Sequence, residues 1–177
     1  MKRILLAALL LAPGLAAGET PAPPPTLKSI LLEQLKTTHS TQDWFVPAVK
    51  AVEGLTPEQA MWKDGNVNHS IAQLVTHLAY WDREQLAKFK GEKPPAFTNN
   101  DETFAATVDK ASWEAAVRDL DAVMTEWEKV VEAADDQKLR SWYSAIAHIG
   151  THNAYHTGQI LYIRKQQGSW DPSKGVK

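Results

Sequence analysis

The sequence predicts an all-α protein, an antiparallel four-helix bundle, and three observations favour this fold class. Four segments carry apolar residues at helical spacing, none alternates apolar and polar residues as a strand does, and most connectors are short. The chain has 177 residues, of which 44% are hydrophobic and 23% charged, a composition typical of one domain with its own core. We expect this domain to span residues 27–170, with a short tail at 171–177.

The first two helical segments are placed by their apolar spacing and their end signals. The first is expected over residues 27–52, where Pro47 should either kink the helix or mark a new start after Asp43. The second is expected over residues 71–90. Ser70 and Gln73 form a capping-box pattern at its start, and a glycine follows its end.

The third and fourth helical segments follow a longer connector. Ser112 is the expected N-cap of the third. Its apolar residues alternate four and three positions apart, the spacing of a bundle seam: Trp113, Val117, Leu120, Met124, Trp127 and Val131. The fourth is expected from about Trp142 to Gln167. The connector at residues 91–111 should cross over or cap one end of the bundle.

The N-terminus has the three-part pattern of a secretory signal peptide at residues 1–18. Two basic residues precede an apolar run at residues 4–11, and small residues follow it. The run is shorter than the roughly 20 residues that a membrane-spanning helix needs. Residues 19–26 are proline-rich and read as a stiff tether. We therefore expect a periplasmic or secreted protein with no membrane span once the signal is removed.

Composition limits the chemistry that the chain can perform. It has no cysteine, which excludes thiolate metal sites, so a metal must be held by His, Asp or Glu. The net charge of -2 and the lack of a basic stripe argue against a nucleic-acid partner.

Three of the six histidines, His148, His152 and His156, stand four residues apart on the fourth segment. At about 100° per residue, His156 falls inside the apolar arc, His152 on its shoulder and His148 nearer solvent. His77 lies at the apolar edge of the second segment, so His77, His152 and His156 can form a metal site with one open position. The competing interpretation is that these are ordinary interior histidines. Asn153 follows His152, which excludes the His-Glu-x-x-His metalloprotease motif.

Two stretches, residues 68–78 (NHSIAQLVTHL) and 148–160 (HIGTHNAYHTGQI), resemble the DinB/YfiT-like superfamily of bacterial metalloproteins. The resemblance implies an antiparallel four-helix bundle, often a homodimer, with one metal-binding histidine from the second helix and two from the fourth. Carried onto this chain, those are His77, His152 and His156. Many relatives have a basic residue after the last histidine, where this chain has Thr157.

Three functions remain open from the sequence. The first is a metal-dependent hydrolase or thiol transferase with a small-molecule substrate, in which Gln159 and Tyr155 assist or simply support the site. The second is a non-catalytic metal-binding or stress-related periplasmic protein. The third is a helical interaction module without metal. Imidazole ligands suit a divalent ion such as Zn, Ni or Fe, and spacing does not choose among them.

Overall fold

A computed structural model describes residues 23–63, 65, 69–94, 99–106 and 109–175, and this part of the chain contains helices and loops but no β-strand. The described residues form six α-helices: α1 Leu27–His39, α2 Ala48–Val52, α3 Pro57–Met61, α4 Ile71–Lys90, α5 Lys110–Ala133 and α6 Asp136–Gln166. Short 3₁₀ helices occupy Asn100–Phe104 and Pro172–Lys174. The all-α prediction is confirmed. The predicted signal peptide and residues 19–22 of the tether lie outside the described residues.

Helix α4, which carries His77, has the predicted bounds because both of its ends are specified locally. The Ser70 hydroxyl accepts a hydrogen bond from the Gln73 N–H at 3.2 Å, and the Gln73 side chain accepts one from the Ser70 N–H at 3.0 Å. Gly91 ends the helix at φ 78°, a left-handed conformation that a glycine adopts without steric cost.

The prediction of one helix over residues 27–52 is wrong in its continuous form. Helix α1 ends at His39, and α2 begins at Ala48 directly after Pro47. Proline has no N–H to donate, and it disfavours helical geometry in the residue before it. The alternative of a new start near Pro47 is therefore the one that the structure adopts.

The predicted starts of the last two long helices are also wrong. Asp109, not Ser112, caps α5, and Ser112 is its capping-box partner, since the Asp109 carboxylate accepts from the Ser112 N–H at 2.8 Å. Helix α6 begins at Asp136 rather than Trp142, because the Asp135 carboxylate accepts from the Lys138 N–H at 2.7 Å. The first turn of α6 is then held by Leu139, which is fully buried.

Most of the buried apolar residues come from α1, α4, α5 and α6. Helix α1 packs against α5 and α6, and α4 packs against the same two helices. The contact between His77 and His152 shows that the N-terminal half of α4 lies beside α6. The buried seam of α5 is as predicted except that Val117 is only partly buried. Trp127 of this seam donates from Nε1 to the Asp82 carbonyl at 2.9 Å, which ties α5 to α4.

None of the helices in the described ranges combines the length and the apolar character that crossing a membrane requires.

Candidate metal centre

Three imidazoles from two helices converge on one point. His77 comes from α4, and His152 and His156 come from successive turns of α6. Each offers one ring nitrogen, and these three atoms lie within 4.8 Å of one another. His77 Nε2 and His152 Nε2 are 3.2 Å apart. The structure thus brings together the three histidines that the sequence singled out, and they could hold a metal ion.

Burial on α6 follows the helical-wheel argument. His156 is buried, His152 is partly buried and His148 is exposed. His77 is buried in the interior-facing side of α4. The open side of the cluster therefore faces the turn of α6 that carries His148.

The tautomer of His77 is fixed by a two-step hydrogen-bond relay. Its Nδ1 lies 2.6 Å from Thr103 Oγ1, and Thr103 Oγ1 donates its own proton to the Asn100 carbonyl at 2.6 Å. The hydroxyl must then accept from His77 Nδ1–H. A neutral imidazole protonated at Nδ1 keeps a free lone pair on Nε2, and Nε2 is the atom that faces His152.

His156 is oriented in the same way by a different group. Its Nδ1 lies 2.6 Å from Gln159 Oε1, an atom that can only accept, so His156 donates and its Nε2 keeps the lone pair. Gln159 in turn donates from Nε2 to the Tyr155 hydroxyl at 3.4 Å. Gln159 and Tyr155 thus support the ring of His156, which agrees with the prediction that they support the site and not with the one that they assist the chemistry.

Burial keeps the cluster uncharged at neutral pH. It lowers the pKa of His77 to about 3, with additional repulsion from His156 and His152. It lowers the pKa of His152 to about 4, with repulsion from His156. The pKa of His156 is also lowered, again mainly by burial. Neutral imidazole is the form that binds a metal, so no proton has to be removed at neutral pH before an ion enters.

Aromatic packing holds the His77 ring in place. Phe104 stacks on it with the ring centroids 3.9 Å apart, and His69 stacks on the other face of Phe104 at 3.7 Å. Thr103 and Phe104 share one short 3₁₀ helix, so the same turn supplies the hydrogen bond and the stack. Sequence reasoning missed both residues, because nothing in their local pattern indicates a contact with His77, which lies 26 positions before Thr103.

A cavity of about 600 Å³ opens in front of the cluster. Its size is in the range of sites that enclose a small organic molecule. Besides the three histidines, it is lined by Trp81, Gln85, Asn100, Phe104, Ala145, His148 and Ile149. A ligand in this cavity would therefore reach the ring nitrogens directly.

A buried polar pair links the two helices that carry the histidines. Asp82 of α4 and Asn153 of α6 are 0% and 1% exposed, and Asn153 Nδ2 donates to Asp82 Oδ2 at 3.1 Å. In the described part of the chain, Asp82 Oδ1 and Asn153 Oδ1 have no hydrogen-bond partner. Burial raises the pKa of Asp82 to about 7, although the bond from Asn153 opposes the shift. Sequence reasoning used Asn153 only to exclude a protease motif, and the signal it missed was a polar residue within each apolar arc.

We expect Asp82→Asn to stabilise the protein at pH 8 by at least about 1 kcal/mol, because the amide removes the cost of a buried carboxylate and still accepts from Asn153. Asp82→Leu also removes the carboxylate but leaves Asn153 without a partner, so it should be about 1–3 kcal/mol less stable than Asp82→Asn. Urea unfolding at pH 8 measures both. A wild type more stable than Asp82→Asn at that pH would contradict this account of the pair.

Comparison with known proteins gives one match. A family model described as the DinB superfamily matches residues 48–160, more than half of the chain, and this range contains all three histidines of the cluster. Helix α1 lies outside the matched range. Neither the curated proteins nor the solved structures contain a match to the chain.

Proposed function

The chain belongs to the DinB superfamily, and from this premise we propose that it is a metal-binding protein that holds one divalent ion with His77, His152 and His156. The observation that carries the proposal is the convergence of three ring nitrogens. At His77 and His156 the Nδ1 atoms are engaged by Thr103 and Gln159, which leaves both Nε2 lone pairs for an ion. An all-imidazole site suits Zn, Ni or Fe.

We propose further that the site is a metal-dependent enzyme centre, acting as a hydrolase or a thiol transferase. Three protein ligands leave at least one coordination position for a water or a substrate, and the cavity adjoins the cluster. A divalent ion bound there lowers the pKa of a coordinated water or thiol and so supplies a nucleophile at neutral pH. The protein would bind the substrate in the cavity and keep the histidine cluster partly shielded from water. Thr103 and Gln159 would orient the rings of His77 and His156.

A second candidate is a non-catalytic metal-binding or stress-related periplasmic protein. One observation favours it: among the described residues that line the cavity there is no carboxylate to act as a general base. The histidine at its mouth, His148, is the remaining candidate for proton transfer. An activity screen of the metal-loaded protein against ester, amide and thiol-transfer substrates separates the two candidates.

The proposal extends to the rest of the predicted architecture. We propose that α1, α4, α5 and α6 form an antiparallel four-helix bundle, which their pairwise packing supports. We propose that residues 1–18 direct export to the periplasm, on the strength of their basic, apolar and small-residue pattern. The resemblance supports a homodimer as the assembly. Intact mass of the mature protein and light scattering test the last two points.

Metal analysis of protein made without a histidine tag tests the proposed site. Wild type should take up about one ion per chain from a zinc, nickel or iron solution, and His156→Ala should bind it at least about 100-fold more weakly, because a ligand is lost and not merely a supporting contact. His148→Ala is the matched control, from the same helix, and should keep its metal.

Far-ultraviolet circular dichroism establishes that each variant is folded. A folded wild type that takes up none of the three metals would overturn the proposed function. Equal occupancy in His156→Ala would show that the ion, if bound, is held elsewhere.

A further inference from the structure

The cavity in front of the histidines has no charged side chain to meet a ligand. Among the described residues that line it there is no Lys, Arg, Asp or Glu. Trp81, Ala145 and Ile149 supply apolar surface, and Gln85 and Asn100 supply amides. An anionic group held against this lining and away from the ion would lose part of its water without a cation beside it, and desolvating an unpaired charge is costly.

Neighbouring side chains leave opposite hydrogen-bonding groups available on the amides of Gln85 and Asn100. Gln85 donates from Nε2 to the Glu84 carboxylate at 2.7 Å, so its Oε1 is left as an acceptor. The Trp81 indole N–H can only donate, and it donates to Asn100 Oδ1 at 3.2 Å, which leaves the Asn100 Nδ2 group as a donor. One acceptor and one donor on the lining of a single cavity match the N–H and C=O of an amide.

We propose that this cavity binds an amide-bearing organic molecule with an apolar body and a single anionic group, which coordinates the metal. Gln85 accepts from the ligand N–H, Asn100 donates to the ligand carbonyl, and Trp81, Ala145 and Ile149 contact the apolar body. This assignment rests on the proposed function, because the anionic group needs the ion as its partner.

Three small carboxylates test the assignment on the protein loaded with Co²⁺, whose visible spectrum reports a new ligand on the ion. Hippurate has one phenyl ring, one amide and one carboxylate. N-benzoylaspartate adds a second carboxylate, and 3-benzoylpropionate replaces the amide N–H with a methylene. We expect hippurate to bind about tenfold more tightly than N-benzoylaspartate and about fivefold more tightly than 3-benzoylpropionate.

Variants of the lining assign each preference to its cause. Gln85→Leu should abolish the preference over 3-benzoylpropionate and leave the preference over N-benzoylaspartate. Gln137→Leu, an exposed position on α6 outside the cavity, is the matched control and should change neither. Ala145→Arg places a cation in the lining and should shift the balance toward N-benzoylaspartate by about tenfold.

The order of measurement separates a failure of the proposed metal site from a failure of the proposed ligand class. Uptake of Co²⁺ is measured first, beside that of zinc, nickel and iron, and the absence of uptake of all four overturns the proposed function together with this inference. If Co²⁺ binds and the three carboxylates bind equally, or N-benzoylaspartate binds best to wild type, the proposed function stands and the ligand class is wrong. An unaltered Co²⁺ spectrum in each variant before ligand is added shows that the metal site is intact.

Discussion

Trp127→Ala is expected to lower the free energy of unfolding by about 3–5 kcal/mol, the range for removing a large aromatic side chain from a core. Trp127 is 0% exposed, and its ring packs against Phe89 with the centroids 5.5 Å apart. Its Nε1–H also pairs with the Asp82 carbonyl, so truncation leaves both a cavity and a buried carbonyl that has lost a donor. Urea unfolding of the metal-free protein at pH 7.5 measures the change.

Two companion variants separate the causes. Trp127→Phe keeps most of the ring and removes the N–H, and it should cost about 1–3 kcal/mol. Trp44→Ala, at a position 87% exposed, should change the free energy of unfolding by less than about 0.5 kcal/mol. If Trp127→Ala cost no more than Trp44→Ala, the core assignment of the α5 seam would be wrong.

The sequence predicted best where the determinants are local. The bounds of α4 follow from Ser70, Gln73 and Gly91, all within or beside the helix. The spacing of His152 and His156 on one helix likewise needs only the helical repeat. The prediction failed at Ser112 although the determinants there are also local. Both Asp109 and Ser112 are good caps, and the choice between them depends on the reciprocal bonds of the capping box.

What the sequence could not predict depends on contacts between distant segments. Thr103 reaches His77 across 26 positions, and Asp82 meets Asn153 across 71. His39 is a further example, since it is buried between the carboxylates of Asp121 and Glu128 at 2.8 and 2.6 Å. By residue type alone His39 is as good a metal ligand as His77. Only the fold shows that its two nitrogens point to separate acidic partners of α5 and not to a shared centre.

Acidification should destabilise the metal-free protein between pH 6.5 and about pH 4. His77 and His152 have folded pKa values of about 3 and 4, below the ordinary value of 6.5. In this interval the unfolded chain binds protons that the folded chain does not, so stability is lost as the pH falls. Asp82 acts in the opposite direction: its pKa is raised from 3.8 to about 7, so its contribution is present at low pH and is lost as the pH rises.

Because the histidines and Asp82 change the free energy of unfolding in opposite directions as the pH falls, variants of each group can separate their contributions. With two histidines acting against one aspartate, the unfolded chain binds at most about one proton more than the folded chain, so these three groups should cost wild type about 1 kcal/mol per pH unit between pH 6.2 and 4.8, as measured by urea unfolding in the presence of a chelator. Asp82→Asn removes the proton that Asp82 holds only in the folded state. Its free energy of unfolding should therefore depend on pH more steeply than that of wild type, by about 1.4 kcal/mol per pH unit. His77→Gln should flatten the slope by the same amount. Parallel slopes for wild type and Asp82→Asn would mean that Asp82 stays ionised in the core. The unpaired oxygens of Asp82 and Asn153 would then need a partner other than a proton.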